Sequence, residues 1–262
     1  MIYDYEYNDY KFSHKITRPT YDEEGFEKHF HTNYEMLYFL RGDIRYHIEN
    51  KVYQLKKHDL LFIKPGEHHY VKLISDEQYN RMVFRFPFHA VPKSLTKIYA
   101  TKKNIRNIKN TRLSKIFQRI DQYAKDYDGE HLQLLFFSIL NEILIVFANL
   151  KTKNSDEIIM DETLKDILAY IHENINNPLT IRHICKKFYL SRSKLYQLFK
   201  SNLQVPIASY IRSKKLIHAH HLILNGQDPS FVYKQCGFQY YSTFYRAYIK
   251  MFGFSPSHNQ TS

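Results

Sequence analysis

Cysteine is scarce in this sequence, with only Cys185 and Cys236 among 262 residues. The two lie far apart, and neither belongs to the Cys-x-x-Cys spacing that a redox pair or a zinc site uses. Both fall where the pattern predicts an apolar helix face, so we expect small buried thiols in a reducing compartment. We therefore expect neither a disulfide scaffold nor a metal site built on cysteine.

Signals for secretion and for membrane insertion are also missing. The first ten residues carry Asp4, Glu6 and Asp9, where a signal peptide needs a basic start followed by an apolar run. The most apolar stretch, residues 132–150, is interrupted by Gln, Ser, Asn and Glu, of which a membrane span tolerates few. These absences predict a soluble, cytoplasmic protein without a membrane partner.

Acidic residues are scarce toward the C-terminus. Residues 191–262 contain nine Lys and Arg side chains, and Asp228 is their only acidic residue. The formal net charge of the whole chain is +12, and much of that excess lies in this segment. A basic segment with almost no acid indicates a polyanionic partner. Charge alone leaves DNA, RNA and an anionic membrane surface open.

Residues 30–90 contain short runs rich in Tyr, Phe, Val and Ile, separated by turn residues such as Gly42 and the pair Pro65-Gly66. Short runs at this spacing predict antiparallel strands, and hence a β-barrel or a sandwich. The predicted strands span residues 34–40, 45–48, 52–55, 60–63, 69–74 and 81–86.

Helical spacing of apolar residues begins after residue 110, in two runs separated by Asp128-Gly129. We predict an αα-hairpin over residues 111–150. Its second helix is apolar on more than one face, as in a helix buried by other parts of the chain or by a second copy. Dimerisation through the hairpin and packing on the barrel both stay open. Residues 151–160 are predicted to be a linker.

Two helix-turn-helix patterns follow in residues 161–262. Thr180 and Ser191 are suited to cap two successive helices, and Gly237 separates a helix that Pro229 opens from the next one. A continuous helix predicted over residues 207–225 joins the two patterns and would extend about 28 Å. One DNA turn is about 34 Å, so both units could enter successive major grooves of double-stranded DNA.

The second helix of each unit supplies the candidate DNA contacts. Its apolar residues, such as Leu195 and Phe199 in the first unit and Phe244 and Tyr248 in the second, are predicted to face inward. The predicted outward residues are Arg192, Ser193, Lys194, Tyr196, Gln197 and Lys200 in the first unit, and Tyr241, Thr243, Tyr245 and Arg246 in the second.

Residues 161–260 resemble the DNA-binding domain of the AraC/XylS family of transcription regulators. The motif that carries the resemblance is Gly237-Phe238, Ser242, Phe244, Arg246 and residues 252–256. Gln204 stands where the family usually has glycine. The resemblance implies that bases are contacted by Ser193, Tyr196, Gln197, Tyr241, Ser242, Thr243, Tyr245 and Arg246. Of these, Arg246 is the best candidate for a bidentate guanine contact or a phosphate contact.

A second group of polar residues, His29, His31, Glu35 and His69, falls in the predicted barrel. Alternation places His29 and His31 on the same side of an extended segment. Three imidazoles and a carboxylate could hold a divalent transition metal. The spacing resembles the two cupin motifs, with His58 in place of one glycine, and implies a barrel that senses a small molecule. The four residues are thus candidate effector ligands and candidate metal ligands, or polar groups satisfied by hydrogen bonds in the pocket wall.

The expected fold class is a multidomain α+β protein. A cupin-like β-barrel occupies residues 1–110, the helical hairpin residues 111–150, the linker residues 151–160, and an all-α tandem helix-turn-helix domain residues 161–262. The expected function is sequence-specific transcription regulation, with activation favoured by the resemblance. We expect a cytoplasmic homodimer that responds to a small-molecule effector, acts with RNA polymerase, has no enzymatic activity and requires no cofactor.

Two other functions stay open at this point. A metal-dependent cupin oxygenase or isomerase could carry the DNA-binding domain as an accessory, and a DNA-binding protein could work without any effector. A DNA-repair methyltransferase uses the same DNA-binding domain but needs clustered reactive cysteines, so the positions of Cys185 and Cys236 argue against it. The identity of the effector and the target promoter do not follow from the sequence.

Overall fold

The computed structural model describes residues 2–18, 28–151 and 157–257. Residues 152–156 of the predicted linker and the last five residues of the predicted DNA-binding domain lie outside this part. The chain divides into two compact units, which are considered separately below. One unit comprises Met1–Ile48 and Val52–Ile158, and the other comprises Glu49–Lys51 and Ile159–Ser262.

The strands of the described chain form two sheets. They are β1 (Tyr3–Tyr7), β2 (Tyr10–Thr17), β3 (Tyr34–Arg41), β4 (Ile44–Ile48), β5 (Lys51–Gln54), β6 (Asp59–Ile63), β7 (His69–Leu73), β8 (Tyr79–Phe86), β9 (Ile105–Asn107) and β10 (Ile158–Ile159). One sheet has the order β1-β2-β8-β3-β6-β9 and the other the order β10-β5-β4-β7. Each predicted strand is present, with boundaries within two residues, whereas β1, β2, β9 and β10 were not predicted.

Strand β3 is buried on both faces, which explains its nearly continuous apolar sequence. Met36 and Tyr38 belong to a core that the larger sheet shares with the helical hairpin. Leu37 and Phe39 alternate with them and belong to a second core, inside the barrel. Each such side chain contributes about 1.5–3 kcal/mol on burial. The barrel is therefore stabilised by an inner core and by a helical layer on one outer face.

The helical layer consists of α1 (Thr96–Thr101), α2 (Arg112–Asp126) and α3 (Gly129–Asn149). The predicted hairpin is α2 and α3, and the Thr111 hydroxyl caps α2 by accepting from the Ser114 amide. Helix α3 is long and apolar enough to cross a membrane by length and composition alone. Its side chains Phe136, Ile143 and Phe147 are buried in the core that it shares with the sheet, as expected for a core helix.

The second unit is helical, as predicted. Its helices are α4 (Glu162–Glu173), α5 (Ile181–Lys187), α6 (Arg192–Leu203), α7 (Ile207–Leu224), α8 (Pro229–Gln235) and α9 (Tyr241–Phe252). The side chains of Thr180, Ser191 and Asp228 accept hydrogen bonds from first-turn amides of α5, α6 and α8. Such caps satisfy donors that have no partner within the helix. The fold class predicted from the sequence is confirmed.

Helix α7 belongs to two hydrophobic cores at once. Ile207 and Ile211, near its start, pack with α4, α5 and α6. Leu216 and Ile223, nearer its end, pack with α8 and α9. The helix is consequently apolar on different faces along its length, and it joins the two helix-turn-helix units as one continuous element.

Candidate nucleic-acid interface and barrel cavity

Helix α6 exposes every residue that the sequence predicted to face outward. Leu195 and Phe199 are fully buried, which turns the opposite face toward solvent. None of its cations takes part in an ion pair with another described residue, so their charge is available to phosphate groups. The exposed residues are Arg192, Ser193, Lys194, Tyr196, Gln197 and Lys200.

Helix α9 exposes all of the residues predicted to face outward except Tyr241. Ser242, Thr243, Tyr245 and Arg246 are exposed. Tyr241 is only half-buried rather than outward, because its ring packs against the rings of Tyr233 at 5.5 Å and Phe244 at 5.9 Å. Its position at the first turn of α9 leaves part of the ring at the surface.

Arg246 lies on the exposed face of α9, and its Nε donates to the Ser242 carbonyl at 3.3 Å, one turn earlier. That bond uses one of the five N–H donors of the guanidinium, so the others can reach a base edge or a phosphate. The arrangement suits either contact that the family resemblance implies.

Lys215 is a residue that the sequence analysis missed. It lies in α7, is 6% exposed, and its Nζ donates to the carbonyls of Asn177 at 3.2 Å and Gly237 at 3.4 Å. Gly237 has φ +68°, and a Cβ there would contact Lys215 Nζ. The ammonium thus ties the segment before α5 to the turn between α8 and α9. The signal was a lysine at helical spacing between two buried residues, Ile211 and Ala219.

The four candidate residues of the barrel lie together. His29 and His69 are joined by backbone hydrogen bonds of 3.1 and 2.9 Å, and their ring centroids are 4.4 Å apart. His31 Nε2 lies 3.2 Å from Glu35 Oε2. One nitrogen or oxygen atom from each of His31, Glu35 and His69 falls within 4.8 Å of the others. Three of the four predicted side chains therefore converge, and the His29 ring lies beside that of His69.

Backbone carbonyls determine the tautomers of two of these histidines. Nδ1 of His31 donates to the Asn33 carbonyl, and Nδ1 of His69 donates to the Glu67 carbonyl, both at 2.8 Å. In neutral His69 the second nitrogen, Nε2, then carries the lone pair, whereas Nε2 of His31 faces Glu35 and donates to it when the ring is protonated. Nε2 of His69 is buried and has no hydrogen-bond partner in the described chain. Histidines that bind metals are held in this way.

Glu35 is buried beside these imidazoles and accepts from Arg85 at 3.0 Å. Burial raises the pKa of its carboxyl, but the hydrogen bond from His31 and the charges of His31, His69 and Arg85 outweigh burial and lower the pKa. Burial also lowers the pKa of His69 to about 4, so His69 is neutral at neutral pH. Glu35 is therefore ionised, and at neutral pH Arg85 is its permanently charged partner.

A cavity of about 240 Å³ opens next to Glu35 and His29. Three tyrosines, Tyr46, Tyr70 and Tyr79, line it together with four basic residues that were not predicted as site residues, Lys11, Lys15, Arg81 and Arg85. The sequence did carry a signal, because each basic pair is separated by four positions and therefore faces one side of a strand. The cavity combines hydroxyl groups, one imidazole, one carboxylate and an excess of positive charge.

Comparison with known proteins gives matches over both units. Residues 15–168 match the family described as AraC-like ligand binding domain, and residues 184–261 match a family described as helix-turn-helix domain. The probable transcriptional regulator LumQ of Photobacterium leiognathi is 27% identical over 123 residues, which are 47% of each chain. The chain thus spans about half the length of LumQ.

Two other similar proteins are covered over most of their length. The HTH-type transcriptional activator RhaR of Yersinia pseudotuberculosis serotype O:3 is 21% identical over 246 residues, covering 90% of this chain and 85% of RhaR. The structure of ToxT from Vibrio cholerae aligns with 94% of this chain and 96% of its own, at 16% identity and a TM-score of 0.39.

Proposed function

The chain belongs to the AraC family of transcription regulators, and from that premise we propose that it binds specific DNA sites under the control of a small molecule held in the barrel. The observation that carries this proposal is the combination of a polar cavity in the ligand-binding unit with two exposed basic helices in the DNA-binding unit. Differential affinity of the effector for two states of the protein would couple the units.

The exposed faces of α6 and α9 supply the DNA contacts in this proposal. Gln197 and Arg246 suit bidentate contacts to adenine and guanine, and the exposed tyrosines suit the methyl group of thymine. The cations of α6 suit phosphates. The contact residues are Arg192, Ser193, Lys194, Tyr196, Gln197, Lys200, Tyr241, Ser242, Thr243, Tyr245 and Arg246.

A cytoplasmic homodimer that activates transcription with RNA polymerase is the form we propose. Leu134 and Ile145 of α3 are each 58% exposed. They lie three turns apart and therefore share one helix face. An exposed apolar pair on the hairpin is what a second copy of the chain would cover.

The proposed sequence-specific DNA binding is tested by measuring affinity for genomic fragments that the purified protein retains at fixed, near-physiological salt. Gln197→Ala should lose about 1–3 kcal/mol of affinity for a retained site, because an adenine contact is removed, and lose none for random DNA. Gln118→Ala, an exposed glutamine of α2, serves as the matched control. Equal affinity of the wild-type protein for retained and random DNA would contradict the proposal.

The effector arm is tested by measuring affinity for the same site, and transcription from it, with and without a small-molecule extract of the producing cells. A change in either quantity supports control through the barrel. Unchanged affinity and unchanged transcription would leave a DNA-binding protein that works without an effector.

We also propose that His29, His31, Glu35 and His69 form the polar end of the effector site and can hold a divalent transition metal. The neutral His69 with its unpartnered Nε2 and the ionised Glu35 fit such an ion. When bound, it would act as a Lewis acid toward oxygen atoms of the effector. The imidazoles and Glu35 would orient the effector, and DNA binding itself requires no cofactor.

Metal analysis of protein purified without chelators tests this part. Stoichiometric metal that is lost in His69→Gln but kept in His89→Gln, an exposed histidine, is the expected result. Wild-type protein without metal, after growth with added manganese, iron and zinc, would reject the metal and leave the polar effector site. A stoichiometric redox metal together with turnover of a substrate would favour the cupin enzyme instead.

A further inference from the structure

We propose that the effector is a hydroxylated anion, whose carboxylate or phosphate group is bound by Arg81 and Lys15 at one end of a basic ladder of four residues, Lys11, Lys15, Arg81 and Arg85. The proposal rests on the cavity being the effector site. It assigns the charge of the ligand and the end of the cavity that recognises this charge.

The ladder is formed by the pairing of β2 with β8. Lys11 lies directly opposite Arg85, and Lys15 lies directly opposite Arg81. Because strand residues alternate between faces, all four side chains project from the same side of the sheet, into the cavity. The intervening Phe12 and Phe84 project to the other side, into the core below the helices. Two cross-strand pairs of positive charges thus face the cavity.

Like charges directly opposite each other in a sheet are unfavourable. Asp4, Glu6 and Glu35 offset this repulsion only in part, because four cations face three carboxylates. A ligand that carries negative charge would remove the repulsion, and this suggests that the ladder has a role in binding.

Three of the four cations are partly neutralised within the chain. Lys15 pairs with Asp4 at 2.7 Å, and Lys11 pairs with Asp4 and with Glu6. Arg85 pairs with Glu35. Arg81 has no acidic partner in the described chain, since its guanidinium donates to the Thr17 hydroxyl and the Tyr79 carbonyl. The unbalanced positive charge of the cavity is therefore located at Arg81.

The guanidinium of Arg81 is also held in place before any ligand binds. It stacks over the Tyr79 ring at 4.2 Å, and the bond to Thr17 restrains its orientation. A planar, oriented guanidinium is suited to a bidentate contact with a carboxylate or phosphate. Little side-chain entropy remains to be lost on binding such a group.

The other end of the cavity has the opposite preference. Arg85 lies four residues beyond Arg81, about 13 Å along the strand, and there it pairs with the buried Glu35 carboxylate at 3.0 Å. A carboxylate accepts hydrogen bonds and repels a second anion, so this end suits hydroxyl groups. The expected effector carries its negative charge toward Arg81 and Lys15, and hydroxyl groups toward Glu35.

Thermal unfolding of the 262-residue chain tests the proposal with two matched pairs of probes at constant ionic strength. Gluconate is compared with neutral sorbitol, and glycerol 3-phosphate with neutral glycerol. Gluconate or glycerol 3-phosphate should raise the melting temperature, whereas its neutral counterpart should not, and the pair that responds distinguishes carboxylate from phosphate recognition. No response to either anion would overturn the proposal.

Arg81→Gln should weaken binding of the responding anion by about tenfold or more, the effect of one charge-assisted contact. Lys72→Gln is the matched control, because this lysine of β7 is exposed and does not line the cavity. Equal responses of the two variants would overturn the proposal, since the anion would then act at the general surface. Lys15→Gln, which should also weaken binding, replaces Arg81→Gln if the latter does not fold.

Measuring DNA retention on the same samples separates this inference from the proposed function. If an extract changes affinity for a retained site but neither anion binds, the ligand class is wrong and the regulator remains. If an anion binds at Arg81 but no condition alters DNA binding or transcription, the basic ladder is an anion site. The proposal that an effector controls DNA binding is then wrong.

Discussion

Gln204 and His58 adopt backbone conformations that usually belong to glycine, with φ of +53° and +75°. A side chain in this left-handed region costs about 1–2 kcal/mol. The families that this sequence resembles carry glycine at both positions. The resemblance therefore predicted the two turns correctly, although the residue types differ. At His58 a compensating contact exists, because Nδ1 shares a hydrogen bond of 2.7 Å with the Tyr38 hydroxyl. Glycine could not make that bond.

His47 gives the stability of the protein a predictable pH dependence. It is 8% exposed, stacks on the Tyr70 ring at 4.2 Å, and neither ring nitrogen has a hydrogen-bond partner among the described residues. Burial, together with nearby basic side chains, lowers the pKa of His47 to about 4. The unfolded chain titrates near 6.5, so it binds more protons between these pH values. The contribution of the neutral His47 to the free energy of unfolding is therefore fully present above about pH 6.5, and it is lost as the pH falls toward 4.

His47→Phe should remove this contribution while keeping the stacked ring. We expect the loss in free energy of unfolding between about pH 7.5 and pH 5 to be smaller by about 2 kcal/mol in the variant. Urea unfolding at the two pH values measures it. Replacing the exposed His131 by Phe provides the control and should preserve the wild-type difference. The same pH dependence in His47→Phe and wild type would show that His47 is not the group responsible.

At the scale of elements, α7 organises the DNA-binding unit because it contributes to both helical cores. Lys215 adds a polar tie from the middle of this helix to the turn before α9. We predict that Lys215→Met destabilises the protein by about 1–3 kcal/mol, since the carbonyls of Asn177 and Gly237 lose a charged donor. The free energy of unfolding, measured with urea, and the affinity for a retained DNA site should both decrease. Both depend on Lys215 because the turn that it holds positions α9.

Lys186→Met is the matched control for this prediction, because Lys186 is exposed on α5. It should leave the free energy of unfolding within about 0.5 kcal/mol of wild type. A Lys215→Met protein as stable as wild type would mean that apolar packing replaces the ammonium without loss. The tie would then have no structural role.

On the scale of the whole molecule, basic residues are concentrated on two different surfaces, one in each unit. In the helical unit they cover the outer faces of α6 and α9, where almost no acid accompanies them. In the barrel unit they point inward, where Lys11, Lys15, Arg81 and Arg85 line a cavity. The charge imbalance of the C-terminal segment was visible in the sequence. The positive cavity was not, because acidic residues elsewhere in the N-terminal segment balance its cations in the net charge of that segment.

The elements whose signals are local could be predicted from the sequence. Caps such as Ser191, turn residues such as Gly237 and apolar spacing within α6 and α9 act over a few residues. Strand β2 was missed because one of its faces is polar. Its inward positions carry Lys11, Ser13 and Lys15 rather than apolar residues, so the alternation typical of a strand is incomplete.

The sequence by itself determined that the chain has a strand-rich part and a basic tandem helix-turn-helix part, because periodicity, caps and charge are properties of neighbouring residues. Only the tertiary structure decided which charges meet. Arg81 stands opposite Lys15, 66 positions earlier in the chain, because β2 pairs with β8 in one register. Lys215 reaches Gly237 because α7 spans two cores. Such contacts depend on pairing and packing between distant segments, which no short stretch of sequence specifies.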